Sequence, residues 1–177
     1  MFFGKKEEAK PYRFGFLSEH HFIDGVDIGK DFNVMDILSR IGGGSSMYYT
    51  AHLGDANVTS ISGMNLPDRH FAHYMLPSML GVFLIKAMDA EAEVKLEERY
   101  KVYEGLHKGV AYIGPYKVEG DFYLYWKKVE EINFETTVFT YIRNALVTRV
   151  DDRARYFPAM PVNVGLINAF HIQGFGV

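Results

Sequence analysis

The stretch that decides the predicted fold runs from Pro77 to Ala92 and reads PSMLGVFLIKAMDAEA. Its apolar residues point in nearly every direction of a helical wheel, and a helix that is apolar all round belongs in the middle of a core. Pro77 is compatible with the first turn of a helix. The sequence therefore predicts a buried helix over residues 77–92.

The segments on both sides of this stretch carry strand patterns. Before it, residues 46–53 and 57–64 alternate as paired strands do, and Gly54-Asp55-Ala56-Asn57 has the composition of a turn between them. After it, the predicted strands cover residues 110–118, 122–129, 134–150 and 162–172. Gly120-Asp121 and Asp151-Asp152-Arg153 are predicted turns. No internal repeat or linker is visible, so we predict an α+β protein with a charged N-terminal arm at residues 1–11 and a single domain at residues 12–177.

Composition limits the classes of function. A chain of 177 residues can bury one substantial core, and its 15% aromatic content favours a large sheet. A net charge of −3 provides no basic excess for nucleic acid, and the lack of cysteine excludes disulfides and thiolate metal sites. Because charged residues and glycine interrupt the apolar segment, we expect no membrane span. The chain begins with only two apolar residues before a charged run, so we expect no secretory signal and a cytoplasmic location.

Residues 73–92 resemble the central-helix motif of the β-hydroxyacyl-(acyl-carrier-protein) dehydratases. The family's pattern is His-Phe-x-Gly-x-Pro-x-Met-Pro-Gly, followed by an apolar helix with Glu or Asp before Ala-Met. The resemblance implies the hotdog fold, in which a long central helix is wrapped by a curved antiparallel sheet. It also implies a homodimer or higher homo-oligomer.

The resemblance assigns roles to individual residues. His73 would be the base, with His70 as the alternative base, and Asp89 would be the acid. The N–H of Gly81 would polarise the thioester carbonyl at the start of the helix. The implied partner is an acyl-carrier-protein or coenzyme A thioester, as in fatty acid or polyketide metabolism, and the resemblance implies no metal or cofactor.

Three further residues, Met79, Phe83 and Lys86, would line the acyl-binding site in this resemblance. Lys86 stands where the family has a carboxylate, which counts against dehydratase activity. Its spacing from Asp89 also allows a buried ion pair one helical turn apart.

Other functions stay open beside a 3-hydroxyacyl-thioester dehydratase. An acyl thioesterase would use water activated by His73 or Asp89. A non-catalytic subunit or assembly protein would use the same domain as an interface, without turnover. His70-x-x-His73 could place two imidazoles on one helical face, but no nearby carboxylate completes a metal site.

Overall fold

The computed structural model of the chain describes residues 12–29, 50–63, 67–78, 81–100, 105–124 and 139–177, so the predicted arm at residues 1–11 and Met79 lie outside it. The strands are β1 (Arg13–Leu17), β2 (His21–Asp27), β3 (Ala51–Ser60), β4 (Arg69–Leu76), β5 (Leu84–Ala87), β6 (Gly105–Ile113), β7 (Tyr116–Leu124), β8 (Phe139–Arg149), β9 (Met160–Asn168) and β10 (Ile172–Gly176). The helix α1 spans Ala90–Tyr100, and short 3-10 turns span Ala154–Tyr156 and Ala169–His171.

All ten strands form one open antiparallel sheet in the order β10-β6-β7-β8-β9-β5-β1-β2-β3-β4. The hotdog prediction is wrong, because that fold needs a long central helix and the described residues contain only the short α1. The predicted α+β class is likewise replaced by a structure that is mostly antiparallel sheet.

The middle of the predicted helix is strand β5, which lies near the centre of the sheet between β1 and β9. Leu84 packs into one hydrophobic core and Ile85 into the other, so both faces of this strand are buried. A strand buried on both faces reads as a continuous apolar run, which periodicity alone cannot distinguish from a buried helix. This ambiguity explains the wrong prediction over residues 77–92.

The helix begins only after this strand, at a capping residue. Asp89 accepts a hydrogen bond at Oδ1 from the N–H of Ala92 at 2.7 Å, which satisfies one of the unpaired donors of the first turn. Its Oδ2 accepts from the N–H of Arg13 at 2.7 Å, so the same carboxylate ties α1 to the start of β1. Glu91 and Glu93 in the first turn complement the helix dipole.

The sheet consists of two equivalent five-stranded units. In the first unit the strand order is β5-β1-β2-β3-β4, and in the second it is β10-β6-β7-β8-β9. Each unit is a four-stranded meander whose fifth strand returns to pair with its first. Pairing between β5 and β9 joins the two units. The repeat is therefore one of strand topology, whereas no repeat is visible in the sequence.

The equivalence extends to the irregularities of the strands. The ladder from β2 to β3 shifts register at Asp24/Val26, and the ladder from β7 to β8 shifts at Glu119/Asp121. The facing strand in each unit carries one non-glycine residue with positive φ, Asp55 at 47° and Asn144 at 49°. A β-bulge accommodates an extra residue in this way. The two segments predicted as turns therefore lie within continuous strands: Gly54–Asn57 contains the first bulge, and Gly120-Asp121 faces the second.

Each unit curls around its own hydrophobic core, and equivalent positions point inward in both. The equivalent inward pairs are Ile23 and Val118, Leu53 and Ile142, and Leu76 and Ile167. At the junction each unit also contributes to the core of the other. Leu84 from β5 enters the second core, whereas Val164 and Leu166 from β9 enter the first, where Leu96 of α1 covers it. The junction thus makes the two units interdependent.

We expect Gly120→Ala to lower the free energy of unfolding by about 1–3 kcal/mol, the usual cost of overpacking. A Cβ at Gly120 would lie 2.6 Å from Cβ of Ala145, closer than any real contact. Urea unfolding followed by circular dichroism measures the change. Gly81→Ala is the matched control, because a Cβ there meets nothing within 4 Å. Equal unfolding midpoints for the two variants would contradict the bulge packing.

Candidate functional site

The two predicted catalytic histidines lie on β4, at one end of the sheet, and both side chains are exposed. Because β4 is a strand, the helical spacing that was predicted to bring His70 and His73 together does not occur. Among the described residues, no cluster of three or more metal-ligating side chains is found.

The predicted acid Asp89 is used in folding, since both carboxylate oxygens accept backbone hydrogen bonds. The structure places no ion pair between Asp89 and Lys86 in the part of the chain that it describes, so the expected pairing does not form. Burial lowers the pKa of Lys86, and the carboxylate of Glu93 partly offsets this effect. Lys86 and Glu93 are therefore the pair that interacts electrostatically here.

The predicted substrate-binding residues are divided between surface and core. Gly81 is exposed, whereas Phe83 is buried with its ring 4.6 Å from that of His171 and 5.8 Å from that of Tyr116. Strands β1, β2 and β3 separate these residues in the sheet from the histidines of β4. The described residues of the predicted site are thus not brought together.

A polar cluster that sequence reasoning missed crosses the first unit at its bulge. The guanidinium of Arg13 pairs with Asp24 and, at 3.0 Å, with Asp55. The ring of His70 extends the cluster, with Nδ1 3.2 Å from Oδ1 of Asn57 and Nε2 3.6 Å from Oδ1 of Asp55. The hydrogen bond to Asp24 raises the pKa of Arg13, against the effect of burial. These contacts fix His70 in a charged network on the surface of the first unit.

The equivalent position in the second unit is an open groove of about 600 Å³. It is lined by Lys108, Gly109, Val110, Glu119, Gly120, Asp121 and Asn144. Lys108 and Asn144 occupy the positions of Arg13 and Asp55, but Asn144 donates to Asp121 at 3.0 Å and Glu119 pairs with Lys117 at 2.8 Å. The ion-pair network that covers the first bulge is therefore not repeated at the second.

A second polar network, around Arg149, connects the two units. The side chain of Arg149 is fully buried and binds Asp151 through two hydrogen bonds of 2.7 and 2.9 Å. It also donates to the carbonyls of Glu19 at 2.8 Å and Ile61 at 3.2 Å, both in the first unit. Tyr116 adds a hydrogen bond from its hydroxyl to the carbonyl of Ser18 at 2.8 Å. The end of β8 is thereby attached to the β1–β2 turn and to the end of β3.

The surface that differs most between the two units lies on the outer side of β3 and β4. We name it the outer face and define it by His52, His73 and Met75, which are all exposed, Met75 by 58%. Its equivalents in the second unit are buried. They are Tyr141, Val164 and Leu166, in the same order.

The reason for the difference is the junction. In the second unit, β5 and α1 of the first unit cover these positions, and Leu166 becomes fully inaccessible. In the first unit no described strand pairs with the equivalent edge, that of β4. The outer face is thus the counterpart of a buried interface, and it is our candidate functional site. No sequence signal marks this face, because residues 69–76, RHFAHYML, do not alternate between polar and apolar side chains.

Comparison with protein-family models, with curated proteins and with solved structures returns no match for this chain. No helix among the described residues has both the length and the apolar character needed to cross a membrane.

We expect Asp89→Ala to cost about 1 kcal/mol of unfolding free energy, the typical value of an N-cap. Asp89→Asn should retain part of the stability, because its amide oxygen can still accept from Ala92 whereas its NH2 group cannot accept from the N–H of Arg13. Urea unfolding of the two variants provides the comparison. A large loss in Asp89→Asn with none in Asp89→Ala would contradict the capping role.

We expect Arg149→Leu to destabilise the protein by about 3 kcal/mol, because breaking a buried pair leaves the remaining partners unsatisfied. Arg155→Leu, which removes an exposed arginine, serves as the control and should change stability by less than ~0.5 kcal/mol. Thermal and urea unfolding test both variants. Equal stability of the two would show that the network does not hold the units together.

The same network has a definite pH dependence. The hydrogen bonds from Arg149 lower the pKa of Asp151. This stabilisation is complete above the unfolded-state pKa of about 4 and is lost as the pH falls through the lower folded-state value. The difference in unfolding free energy between the wild type and Asp151→Asn should therefore shrink on acidification below about pH 4. A difference that stays constant from neutral pH down to the acid limit would count against this assignment.

Proposed function

We propose that this chain is a non-catalytic assembly protein that joins copies of itself through the outer face and the edge of β4. The observation that carries the proposal is the contrast between Met75, 58% exposed, and its equivalent Leu166, 0% exposed. A position that is apolar in both units but covered in only one indicates a surface that binds a partner.

The state of the β4 edge supports the proposal. An edge strand presents unpaired N–H and C=O groups, and proteins that avoid association protect such edges with charge, proline or a covering segment. Between the charged start of β4 at Arg69 and the proline that follows Leu76, the stretch from Tyr74 to Leu76 carries no charged side chain. At the other end of the sheet, Tyr112, Phe170 and Val177 are also exposed apolar residues beside β10. Both ends of the sheet therefore have the composition of binding surfaces.

Action on an acyl thioester stays a prediction. Its premise was the central helix of the hotdog fold, and β5 occupies that part of the sequence. The described site residues are spread over distant parts of the sheet.

Light scattering across a dilution series tests the proposal. We expect the wild type to have a mass that is a multiple of 20.2 kDa. Met75→Lys should raise the dissociation constant tenfold or more, because burying a methionine side chain is worth ~1.5–3 kcal/mol and 1.4 kcal/mol is tenfold. Val94→Lys is the matched control, since Val94 on α1 is 54% exposed and should leave the mass unchanged. A monomer at every concentration, or equal effects of the two variants, would overturn the proposal.

A further inference from the structure

We propose that the strand that pairs with β4 is β10 of a second copy, so that the copies join head to tail. This inference rests on the assembly function proposed above and specifies its partner. The two units of the sheet are equivalent, so that β9 corresponds to β4 and β5 corresponds to β10. The β5–β9 junction is thus a complete example, within one chain, of the contact proposed between chains.

The equivalence defines a register for the contact. Within the chain, Leu84 pairs with Ile167, Ile85 with Leu166, and Lys86 with Gly165. The β1–β5 and β6–β10 ladders align Leu84 with Gly174, Ile85 with Phe175 and Lys86 with Gly176. The β3–β4 and β8–β9 ladders align Ile167 with Leu76, Leu166 with Met75, and Gly165 with Tyr74. The pairs between copies are therefore Gly174 with Leu76, Phe175 with Met75, and Gly176 with Tyr74.

The side chains fit this register. At the internal junction the large Lys86 faces Gly165, where an added Cβ would lie 2.7 Å from the carbonyl oxygen of Ile85. Between copies the large residue would be Tyr74 and the glycine would be Gly176. A Cβ at Gly176 meets nothing within 4 Å, so the space beside it is open. In both junctions, a large side chain therefore faces a glycine at this position.

In the proposed contact, Met75 enters an apolar environment like that of its equivalent, Leu166. Leu166 packs into the first core together with Ile85, the residue opposite it on β5. The residue opposite Met75 would be Phe175, which packs against the second core and contacts Phe122 with ring centroids 5.0 Å apart. Met75 would thus enter the edge of the second core of the neighbouring copy. A thioether in contact with an aromatic ring is itself favourable.

The contact is heterologous, because it joins two different edges. Contacts of this kind close into a ring or continue into a filament, whereas a symmetric dimer would join β4 to β4 or β10 to β10. These alternatives make different predictions for single-cysteine variants. The natural sequence contains no cysteine, so engineered thiols react only with each other.

The test mixes Tyr74→Cys protein with Gly176→Cys protein under oxidising conditions and measures disulfide-linked dimer on a non-reducing gel. Asn168 donates to the carbonyl of Phe83 at 2.9 Å, which makes Lys86–Gly165 a non-hydrogen-bonded pair of its ladder. The equivalent pair, Gly176 with Tyr74, then has the closer Cβ atoms that a disulfide needs. We expect the mixed dimer to be the dominant product.

The matched control replaces Tyr74→Cys with His70→Cys, on the same strand but four residues away. The shift of ~13 Å exceeds the reach of a disulfide, so we expect about tenfold less cross-linked dimer. A second pair, Leu76→Cys with Gly174→Cys, repeats the test if circular dichroism finds Tyr74→Cys unfolded.

The outcomes separate the two proposals. Dominant mixed dimer supports head-to-tail pairing. Dimers of Tyr74→Cys alone or of Gly176→Cys alone, or equal yields from the control, overturn it, while the assembly function survives if light scattering still finds an oligomer. A monomer in light scattering overturns both.

Discussion

The pairing of β5 with β9 is the constraint on which the rest of the structure depends. It joins two five-stranded units into one sheet and places β5 where both of its faces are buried. It also lets each unit complete the hydrophobic core of the other, through Leu84 in one direction and Leu166 in the other. Without this ladder, each unit would expose an apolar edge, as the first unit does at β4.

The Arg149 network acts at a different part of the same boundary. A buried guanidinium is costly unless its donors are satisfied, and here Asp151 and the carbonyls of Glu19 and Ile61 accept from it. Because these acceptors come from both units, the network fixes how they are oriented, while apolar burial supplies most of the driving force. Its ionic part responds to acid through Asp151.

The candidate site could be predicted from the sequence only in part. His73 was identified as a site residue, and it does lie on the outer face, although as an exposed strand residue and not beside a helix. Met75 is the main apolar residue of the outer face, yet nothing in its local sequence distinguishes it from a core residue. Its meaning depends on the comparison with Leu166, and that comparison requires the two ladders. The network around Arg149 joins residues up to 130 positions apart, which no local pattern reveals.

The sequence by itself determined that the chain is rich in strands and contains no cysteine. It located β8 and most of β9, whereas the predicted strand over residues 110–118 spans the turn between β6 and β7. Alternating polarity and aromatic content act locally, so they survive without knowledge of the fold. Tertiary structure decided whether Leu84–Ala87 is strand or helix, and whether Gly120-Asp121 is a turn or part of a strand that faces a bulge. Both choices depend on which strands lie alongside, because burial on two faces and an extra residue opposite a partner are properties of the sheet and not of the segment.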